Sequence, residues 1–345
     1  MRNINRRFRT EALFFLFASM LFWVSSAQAH EFKAHKNIVW ASPKNVSLTA
    51  DIYVPATGKS KYPVLIIYHG GGWLINTNAI MSSMSEYIAS HGEFVVVNMN
   101  YRLLTANKNT TNMNEIVEDA LGGVLWVKDH IAHYGGDPKR IAVTGDSAGG
   151  HLASMVLLAG RNLESDGFAG DTLGFKPTYL PKGKTAEQVA HKDGLKVQAA
   201  VISYGAFDIY NSALNNNFEK PSNIFWTIGK AEARGVFGDK INVNDNANYY
   251  KAVSPIYNIP SASVYKLPPQ FVHVGSKDNT TPPTAVKKYV DQLEQAGQSV
   301  EFKQYEGKNH AFLDSGCNEG LHSCFDKDAP DALDDIIRFL EKTLK

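Results

Sequence analysis

The chain alternates short apolar runs with longer segments whose apolar residues recur at helical spacing. Short runs rich in β-branched residues are typical of buried strands, and apolar residues three or four positions apart are typical of helices. This alternation predicts an α/β fold with a mostly parallel central sheet flanked by helices. The predicted strands are residues 46–54, 64–68, 94–98, 140–144, 197–203, 270–274 and 300–305. The predicted helices are residues 82–91, 114–134, 148–158, 284–295 and 329–344.

The first of these strands differs in pattern from the others. Residues 46–54 alternate apolar and polar side chains, whereas the next two predicted strands are continuously apolar. Strict alternation indicates a strand with one buried and one solvated face. We therefore expect 46–54 to be a half-exposed edge strand.

Two segments interrupt the alternation. Residues 161–197 are rich in Gly, Asp, Lys and Pro, and residues 208–258 carry aromatic residues that include Phe218 and Phe225. Long insertions in a compact domain commonly form lids or binding loops. We expect a cap built from both insertions, and mainly from 208–258. Its aromatic residues either contact a substrate or only pack the insertion onto the core.

The N-terminal residues have the pattern of a secretory signal peptide. Four arginines precede an apolar run at residues 12–24, and the sequence Ala27-Gln28-Ala29 follows. The apolar run is too short to span a bilayer comfortably, and small residues in this pattern mark a cleavage site. We expect a signal peptide at 1–29 and a secreted or periplasmic protein of residues 30–345 without a stable membrane anchor. An uncleaved anchor is the alternative.

Composition and charge narrow the class of protein. Of the 345 residues, 44% are hydrophobic and 20% are charged, which is an ordinary globular composition. The formal net charge is +1, and removal of residues 1–29, with four arginines and one glutamate, changes it to −2. Because no basic surplus remains to neutralise phosphates, we expect no nucleic-acid partner.

The chain contains two cysteines, Cys317 and Cys324. In an oxidising compartment a nearby pair usually forms a disulfide, which here would close the loop 318–323. A redox or metal pair is the weaker alternative, because no second pair of cysteines completes a zinc site. The sequence predicts a structural disulfide and no metal site.

The segment Gly145–Gly150, with the sequence GDSAGG, matches G-x-S-x-G and lies between a predicted strand and a predicted helix. In this context the motif is a nucleophile elbow, a sharp turn that exposes a serine. A free serine hydroxyl is a weak nucleophile and requires a base to accept its proton. Ser147 is therefore the predicted nucleophile.

The base and its acid are expected later in the chain, in the order Ser, Asp or Glu, His. Asp278 follows the predicted strand 270–274, and His310 follows the predicted strand 300–305. The carboxyl ends of parallel strands meet at one edge of a sheet, where ligands bind. We expect His310 to be the base and Asp278 to orient it.

Four other residues are less suitable for these roles. Because His151 lies one helical turn beyond Ser147, it should point into the fold. His322 lies in the predicted disulfide loop and could approach the site. Asp314 breaks the expected chain order, and Asp146 adjoins the nucleophile but would not orient a histidine across the sheet end.

A second glycine motif, HGGGW, occupies residues 69–73. Backbone amides aimed at the developing oxyanion are often the largest catalytic contribution, and glycine allows the backbone to approach a ligand closely. We expect the amides of Gly71, Gly72 and Ala148 to form the oxyanion hole. His69 should brace the loop, and Trp73 should either line the substrate pocket or only pack.

These motifs resemble the α/β-hydrolase superfamily and, within it, the hormone-sensitive-lipase-like carboxylesterases. HGGGW, the sequence NYRL at residues 100–103, GDSAGGHLA at 145–153, Asp278 and His310 carry the resemblance, which covers residues 38–345. It implies the same triad and oxyanion hole, and no metal or organic cofactor. One departure is the short N-terminal segment before the first predicted strand, where that family commonly has a helical extension.

The elbow is also similar to that of exported acetylxylan and feruloyl esterases. The predicted function is a secreted serine carboxylesterase that hydrolyses short-chain or aryl esters through an acyl-enzyme. A carbohydrate esterase is the alternative, so the substrate is a small-molecule or a polysaccharide-linked ester. An inactive binding protein with the same fold is an alternative of another class.

Overall fold

The structure is a computed structural model that describes residues 29–344. Apart from Ala29, the predicted signal peptide lies outside the described residues. Within them, eight strands form one sheet in the order β1-β2-β4-β3-β5-β6-β7-β8. The first two junctions are antiparallel and the others are parallel. The strands are β1 Phe32–Ala41, β2 Leu48–Pro55, β3 Tyr62–Tyr68, β4 Val95–Met99, β5 Gly136–Asp146, β6 Ala199–Ser203, β7 Gln270–Gly275 and β8 Val300–Tyr305.

Helices cover the sheet, and a small hairpin lies near the C-terminus. The hairpin strands are β9 Cys317–Asn318 and β10 Ser323–Cys324. The longer helices are α1 Ser82–His91, α3 Met113–His130, α4 Ala148–Ala159, α9 Pro283–Gln295 and α11 Pro330–Leu344. The shorter ones are α2 Ala106–Asn109, α5 Ala186–His191, α6 Ile209–Leu214, α7 Ile224–Ile228, α8 Ala247–Ala252 and α10 Phe325–Asp328. Short 3₁₀ turns are Pro43–Asn45, Asn78–Met81, Ile131–Tyr134 and Pro255–Tyr257.

The core lies between this sheet and its helices. Strands β3 and β4 are buried along nearly their whole length, as their continuous apolar runs predict. Helix α4 is buried at all but one of its positions, so it is surrounded by the sheet and by other elements. The predicted α/β architecture, with a mostly parallel sheet and flanking helices, is confirmed.

One expectation about the sheet edge is wrong. The predicted strand 46–54 corresponds to β2, which is mostly buried and second in the sheet, while β1 forms the edge. Strand β1 pairs with β2 through a register shift between His35 and Ile38, where Asn37 has a positive φ. This bulge breaks the period-two pattern, and that is why the pattern of apolar positions does not indicate β1.

The two insertions lie in different places. Residues 161–197 contain α5 and pack against α3, where the Thr178 amide donates to the Glu118 carbonyl at 3.0 Å. Residues 208–258 contain α6, α7 and α8.

The order of the strands reverses at β3, which lies between β4 and β5. Ligands of open α/β sheets bind at such a switch point, outside the carboxyl ends of the strands. The HGGGW segment follows β3, and Ser147 follows β5. Because β3 and β5 are parallel neighbours that pair Tyr68 with Gly145, the topology places both glycine motifs side by side.

Candidate active site

Ser147 occupies the turn between β5 and α4, with φ 51° and ψ −115°. A non-glycine residue in such a conformation costs about 1–3 kcal/mol and persists only where its surroundings enforce it. Gly145 and Gly149 are part of that enforcement, since a Cβ atom on Gly145 would lie 2.3 Å from the backbone of Gly149. The strain therefore directs the serine side chain out of the turn, where 6% of the residue is exposed.

His310 and Asp278 reach Ser147 from the next strand ends. His310 Nε2 lies 3.0 Å from Ser147 Oγ, and His310 Nδ1 lies 2.7 Å from Asp278 Oδ2. A carboxylate oxygen accepts, so Nδ1 carries the proton and Nε2 is left to accept from the serine hydroxyl. The structure thus brings the three residues into one hydrogen-bonded chain in the order required of a nucleophile, a base and an acid.

The Asp278 carboxylate is held by its own loop. Its Oδ1 accepts hydrogen bonds from the amides of Thr280 and Thr281, both at 2.8 Å. The Thr281 hydroxyl donates to the Tyr204 carbonyl at 2.8 Å and lies 3.1 Å from Asp278 Oδ2. These contacts fix the carboxylate toward His310. The two threonines are part of the site, and the sequence motifs do not indicate them.

The HGGGW loop passes beside Ser147. Gly71 has φ 113° and Gly72 has φ 59°, a region that glycine adopts without steric strain. His69 braces the loop: its Nδ1 donates to the Gly70 carbonyl at 2.8 Å, and its ring stacks on Tyr101. The Tyr101 hydroxyl in turn donates to the His69 carbonyl at 2.6 Å. Burial lowers the pKa of His69 to about 4, so the brace is uncharged at neutral pH.

The NYRL sequence has a related structural role. Arg102 forms a bidentate ion pair with Asp119, with Nε–Oδ2 and Nη2–Oδ1 distances of 2.8 and 2.7 Å, and a further bond to Glu115 at 2.8 Å. Both acidic residues belong to α3. The segment that braces the HGGGW loop is therefore tied to α3 by a buried charged network.

Trp73 is buried and packs edge-on against His151 and Phe218. Its indole N–H donates to His151 Nδ1 at 3.1 Å, and His151 Nε2 donates to the Val253 carbonyl at 2.7 Å. These partners define the neutral tautomer of His151, which points into the fold as expected and away from Ser147. Trp73 both packs and lines a cavity beside Ser147.

Two cavities flank Ser147. The larger, of about 390 Å³, is lined by His310 and by aliphatic residues that include Ile224 and Ile228. The smaller, of about 210 Å³, is lined by Ala148 together with Trp73 and Phe218. Ser147, Phe225 and Thr280 line both cavities. The serine therefore lies where the two spaces meet.

The insertion 208–258 contributes to both cavities, with Phe218 in the smaller, Ile224 in the larger and Phe225 in both. Residues 161–197 line neither cavity. Among the aromatic residues of the second insertion, Phe225 is the wall between the two spaces. The sequence indicates an aromatic-rich insertion there but not which ring reaches the site.

The hairpin β9–β10 forms another wall. A disulfide joins Cys317 to Cys324, and Asn318, Gly320 and Leu321 of the enclosed loop line the larger cavity. His322 lies in the same loop, and its carbonyl accepts a hydrogen bond from Asn309 at 3.1 Å. The ring that approaches Ser147 is that of His310.

Among residues 29–344, no group of three or more His, Cys, Asp or Glu is placed to hold a metal ion. No helix described in this range is long and apolar enough to cross a membrane.

The chain is similar to several known esterases. It is 26% identical over 319 residues to a probable isoprenylcysteine alpha-carbonyl methylesterase of Arabidopsis thaliana, covering 90% of this chain and 64% of the relative. It is 30% identical over 256 residues to an esterase of Mycobacterium tuberculosis, covering 72% of this chain and 50% of that protein. The chain thus spans about half to two thirds of the length of these relatives.

Solved structures support the fold of this chain, and a family model identifies the family to which it belongs. Esterase 2 of Thermogutta terrifontis, phosphonylated by cyclosarin, superposes with a TM-score of 0.63 at 23% identity, covering 91% of this chain and 94% of that one. At this level of sequence identity, the structural similarity shows that the two chains share a fold. The BD-FAE family model matches residues 50–293. The chain therefore belongs to the BD-FAE family and has the α/β-hydrolase fold.

Proposed function

We propose that this protein hydrolyses carboxylic esters, with Ser147 as nucleophile, His310 as base and Asp278 as the acid that orients His310. The hydrogen-bonded chain from Ser147 Oγ through both nitrogens of His310 to Asp278 Oδ2 carries the proposal. The esterase names of its relatives support the same chemistry.

The mechanism follows from these contacts. His310 Nε2 accepts the hydroxyl proton as Ser147 Oγ attacks the ester carbonyl, and Asp278 stabilises the imidazolium. The tetrahedral intermediate collapses, His310 returns the proton to the leaving alcohol, and an acyl-serine remains. Water then attacks the acyl-serine, His310 accepts a proton from this water, and the carboxylic acid leaves as Ser147 recovers its hydrogen.

The amides of Gly71, Gly72 and Ala148 are the proposed oxyanion hole. The two glycines follow β3 and Ala148 begins α4, beside Ser147. Removal of one such donor costs about 2.7–4 kcal/mol of transition-state stabilisation in other serine hydrolases. Backbone donors of this kind are already oriented, so little reorganisation is required as charge develops.

The position of His310 indicates which cavity would hold the alcohol and which would hold the acyl group. Because His310 protonates the leaving alcohol, the alcohol oxygen must lie on the His310 side of Ser147, which faces the larger cavity. The acyl group then occupies the smaller cavity beside Trp73. We infer a preference for a short acyl group and a larger alcohol.

The rim of the larger cavity favours an apolar alcohol. Ile224 and Ile228 are 66% and 53% exposed, and both line this cavity from one side of α7. Large exposed aliphatic residues beside a cavity gain free energy when an apolar ligand covers them. Because the large exposed apolar residues of this rim are the aliphatic Ile224 and Ile228 and not an aromatic platform, small apolar esters are favoured over polysaccharide esters.

We also infer that the protein is exported. This inference depends on the signal-like pattern of residues 1–29, and the disulfide between Cys317 and Cys324 is compatible with an oxidising compartment. Mass spectrometry of protein exported by a bacterial host should find an N-terminus at His30; an intact Met1 would contradict cleavage.

The decisive experiment compares Ser147→Ala with a substitution of Ser154, a buried serine of α4, the helix that follows Ser147. The Ser154 hydroxyl donates to the Gly150 carbonyl, and the control variant is Ser154→Ala. Ser147→Ala should abolish hydrolysis of p-nitrophenyl acetate and covalent labelling by an organophosphate, while Ser154→Ala retains both. Acetate, butyrate and octanoate esters of one alcohol, together with acetylated xylan and methyl ferulate, then test the substrate class. Turnover in folded Ser147→Ala would refute the mechanism, and preference for xylan would refute the assignment of small esters.

A further inference from the structure

Two carboxyl groups that the proposed mechanism does not use lie beside the triad. Asp146 ends β5 immediately before Ser147 and is 1% exposed, and Asp314 lies four residues after His310. Both face the larger cavity. The Oδ1 atoms of both residues are buried and accept no hydrogen bond from a donor group among residues 29–344. A buried polar atom without a partner is unfavourable by about 1–3 kcal/mol, so these oxygens require an explanation.

A shared proton satisfies both oxygens. The two carboxyl groups line the same cavity and interact electrostatically, and two adjacent carboxylates cannot both be ionised without strong repulsion. One carboxylic acid that donates to the other carboxylate leaves neither Oδ1 unpartnered. Burial, followed by the neighbouring Asp146 carboxylate, raises the pKa of Asp314 well above its ordinary value. Burial also raises the pKa of Asp146.

The groups around the pair have other partners or the same sign of charge. The Tyr101 hydroxyl donates to the His69 carbonyl at 2.6 Å. The Tyr204 hydroxyl accepts from the Leu313 amide at 3.2 Å, and neither hydroxyl is a hydrogen-bond partner of Asp146 Oδ1 or Asp314 Oδ1. His310 acts electrostatically on Asp146, but both of its nitrogens belong to the triad contacts. Asp278 is a further negative group on this side. A proton shared between Asp146 and Asp314 therefore neutralises the second carboxyl group of the pair.

We propose that the Asp146–Asp314 pair is a proton-sharing clamp that holds the His310 loop against the Ser147 turn and so positions the base beside the nucleophile. The clamp joins two segments with strained backbones, since Ser147 has φ 51° and Ala311 has φ 61°. Such conformations persist only when the surrounding structure holds them. Asp146 and Asp314 are positioning residues in this proposal, which rests on the proposed esterase function.

The clamp predicts how activity should change with pH. Loss of its proton leaves two buried like charges, which repel and loosen the His310 loop, so activity should fall on the alkaline side. An Asp314→Asn variant keeps a neutral N–H donor toward Asp146 at every pH, whereas Asp314→Ala removes the clamp. We expect Asp314→Ala to lower kcat about tenfold with a smaller change in KM. Asp314→Asn should recover most of that loss and lack the alkaline decline of the wild type.

The pH dependence of thermal stability is a second test of the shared proton, because this stabilisation should also be lost as pH rises. A carboxyl whose pKa is raised by folding stabilises the protein below its ordinary pKa, and this contribution is lost as pH rises through the folded value. The Tm of Asp314→Asn relative to the wild type should therefore increase between pH 5 and pH 9. A constant difference across this range would overturn the proposal.

Infrared difference spectroscopy detects the proton directly and needs no turnover. In a Ser147→Ala background at pH 7, a protonated-carboxyl band should be present and should disappear with Asp314→Asn. Burial raises the pKa of Glu118 to about 7, so this residue also contributes to the protonated-carboxyl band at pH 7. Glu118→Gln is the matched control, because it measures that contribution and allows it to be subtracted. If Asp314→Asn does not fold, Asp146→Asn supplies the same comparison.

The two proposals fail in different ways. Absence of the band with intact Ser147-dependent turnover would overturn the clamp alone. Presence of the band with no turnover in the wild type would refute the esterase proposal, and the pH dependence of Tm would still test the shared proton.

Discussion

A Cβ atom on Gly149 would lie 1.9 Å from the carbonyl oxygen of Tyr68. Gly149 belongs to the first turn of α4, and Tyr68 is the last residue of β3. The helix that follows the proposed nucleophile therefore begins in backbone contact with the strand that precedes the HGGGW loop. This contact sets the distance between Ser147 and the proposed oxyanion amides.

Gly149→Ala should destabilise the protein and inactivate it. The atom that the new methyl group meets is a backbone carbonyl oxygen, which cannot rotate aside as a side chain can. Overpacking typically costs 1–3 kcal/mol and occasionally more, and we expect about 3 kcal/mol or more here. Urea unfolding and p-nitrophenyl acetate turnover measure the two effects.

Gly320→Ala is the matched control for this substitution. The nearest atom to a Cβ on Gly320 is 3.5 Å away, an ordinary contact, and its φ is not positive. Its free energy of unfolding should remain within about 0.5 kcal/mol of the wild type. A Gly149→Ala protein as stable as Gly320→Ala would show that α4 can move away from β3.

The sequence motifs predict much of the site because glycine motifs reflect local backbone geometry. G-x-S-x-G requires a strand, a tight turn and a helix, and the structure has β5, Ser147 and α4 in that order. The positions of Asp278 and His310 follow from parallel strands that end at one edge. These relationships depend on short segments and on the shared direction of parallel strands, both of which can be inferred from one sequence.

Other features depend on contacts between distant segments. The bulged strand β1 has no clear apolar period, and the division of the site by Phe225 depends on how the second insertion folds back. The proposed pairing of Asp146 with Asp314 joins residues 168 positions apart in the sequence. No local pattern marks such a pair, although Asp146 is part of the GDSAGG motif.

Phe225→Ala should relax acyl-chain selectivity. The Phe225 ring lines both cavities and lies 2.9 Å from the Cβ position of Gly72, so its removal joins the two spaces. Discrimination by one methylene in an apolar pocket is worth about 1–3 kcal/mol. The ratio of kcat/KM for octanoate to that for acetate should rise about tenfold.

Phe302→Ala controls for the loss of an aromatic ring. Phe302 is a half-buried residue of β8 that lines neither cavity, so the octanoate-to-acetate ratio should remain as in the wild type. Equal ratios in Phe225→Ala and the wild type would contradict the role of Phe225 as a dividing wall.

Removal of the disulfide should affect esters of bulky alcohols most. The loop closed by Cys317 and Cys324 forms part of the wall of the larger cavity. Closure of a loop of this length is worth about 2 kcal/mol in chain entropy. A double Cys→Ser variant should therefore lose stability and show a KM raised about threefold to tenfold for bulky alcohols, with little change for methyl esters.

Leu321→Ala separates the wall from the covalent link. It shortens a side chain that lines the cavity but leaves the disulfide intact, so it should raise KM for bulky alcohols with little loss of stability. Thiol titration of the exported, denatured wild type should find no reactive thiol. Two reactive thiols, or a KM increase that is equal for methyl and bulky esters, would contradict the proposed role of the loop.

His151 should make the protein less stable in mild acid. Burial lowers the pKa of His151 to about 4 from an ordinary value of 6.5, so the folded protein keeps this ring neutral while the unfolded chain binds a proton. Its contribution is complete above pH 6.5 and is lost as pH falls toward 4. Between pH 8 and pH 5 this linkage amounts to about 2 kcal/mol.

His151→Gln tests this contribution, because a glutamine can accept from the Trp73 indole and donate to the Val253 carbonyl but does not titrate. The free energy of unfolding from urea titrations should fall more steeply for the wild type than for the variant as pH decreases from 8 to 5. His69 and His273, whose pKa values burial lowers to about 4 and about 3, act equally in both proteins and cancel. Parallel pH dependences would mean that the folded protein protonates the His151 ring as readily as the unfolded chain does. That result would contradict the hydrogen bond from Trp73 to an unprotonated His151 Nδ1.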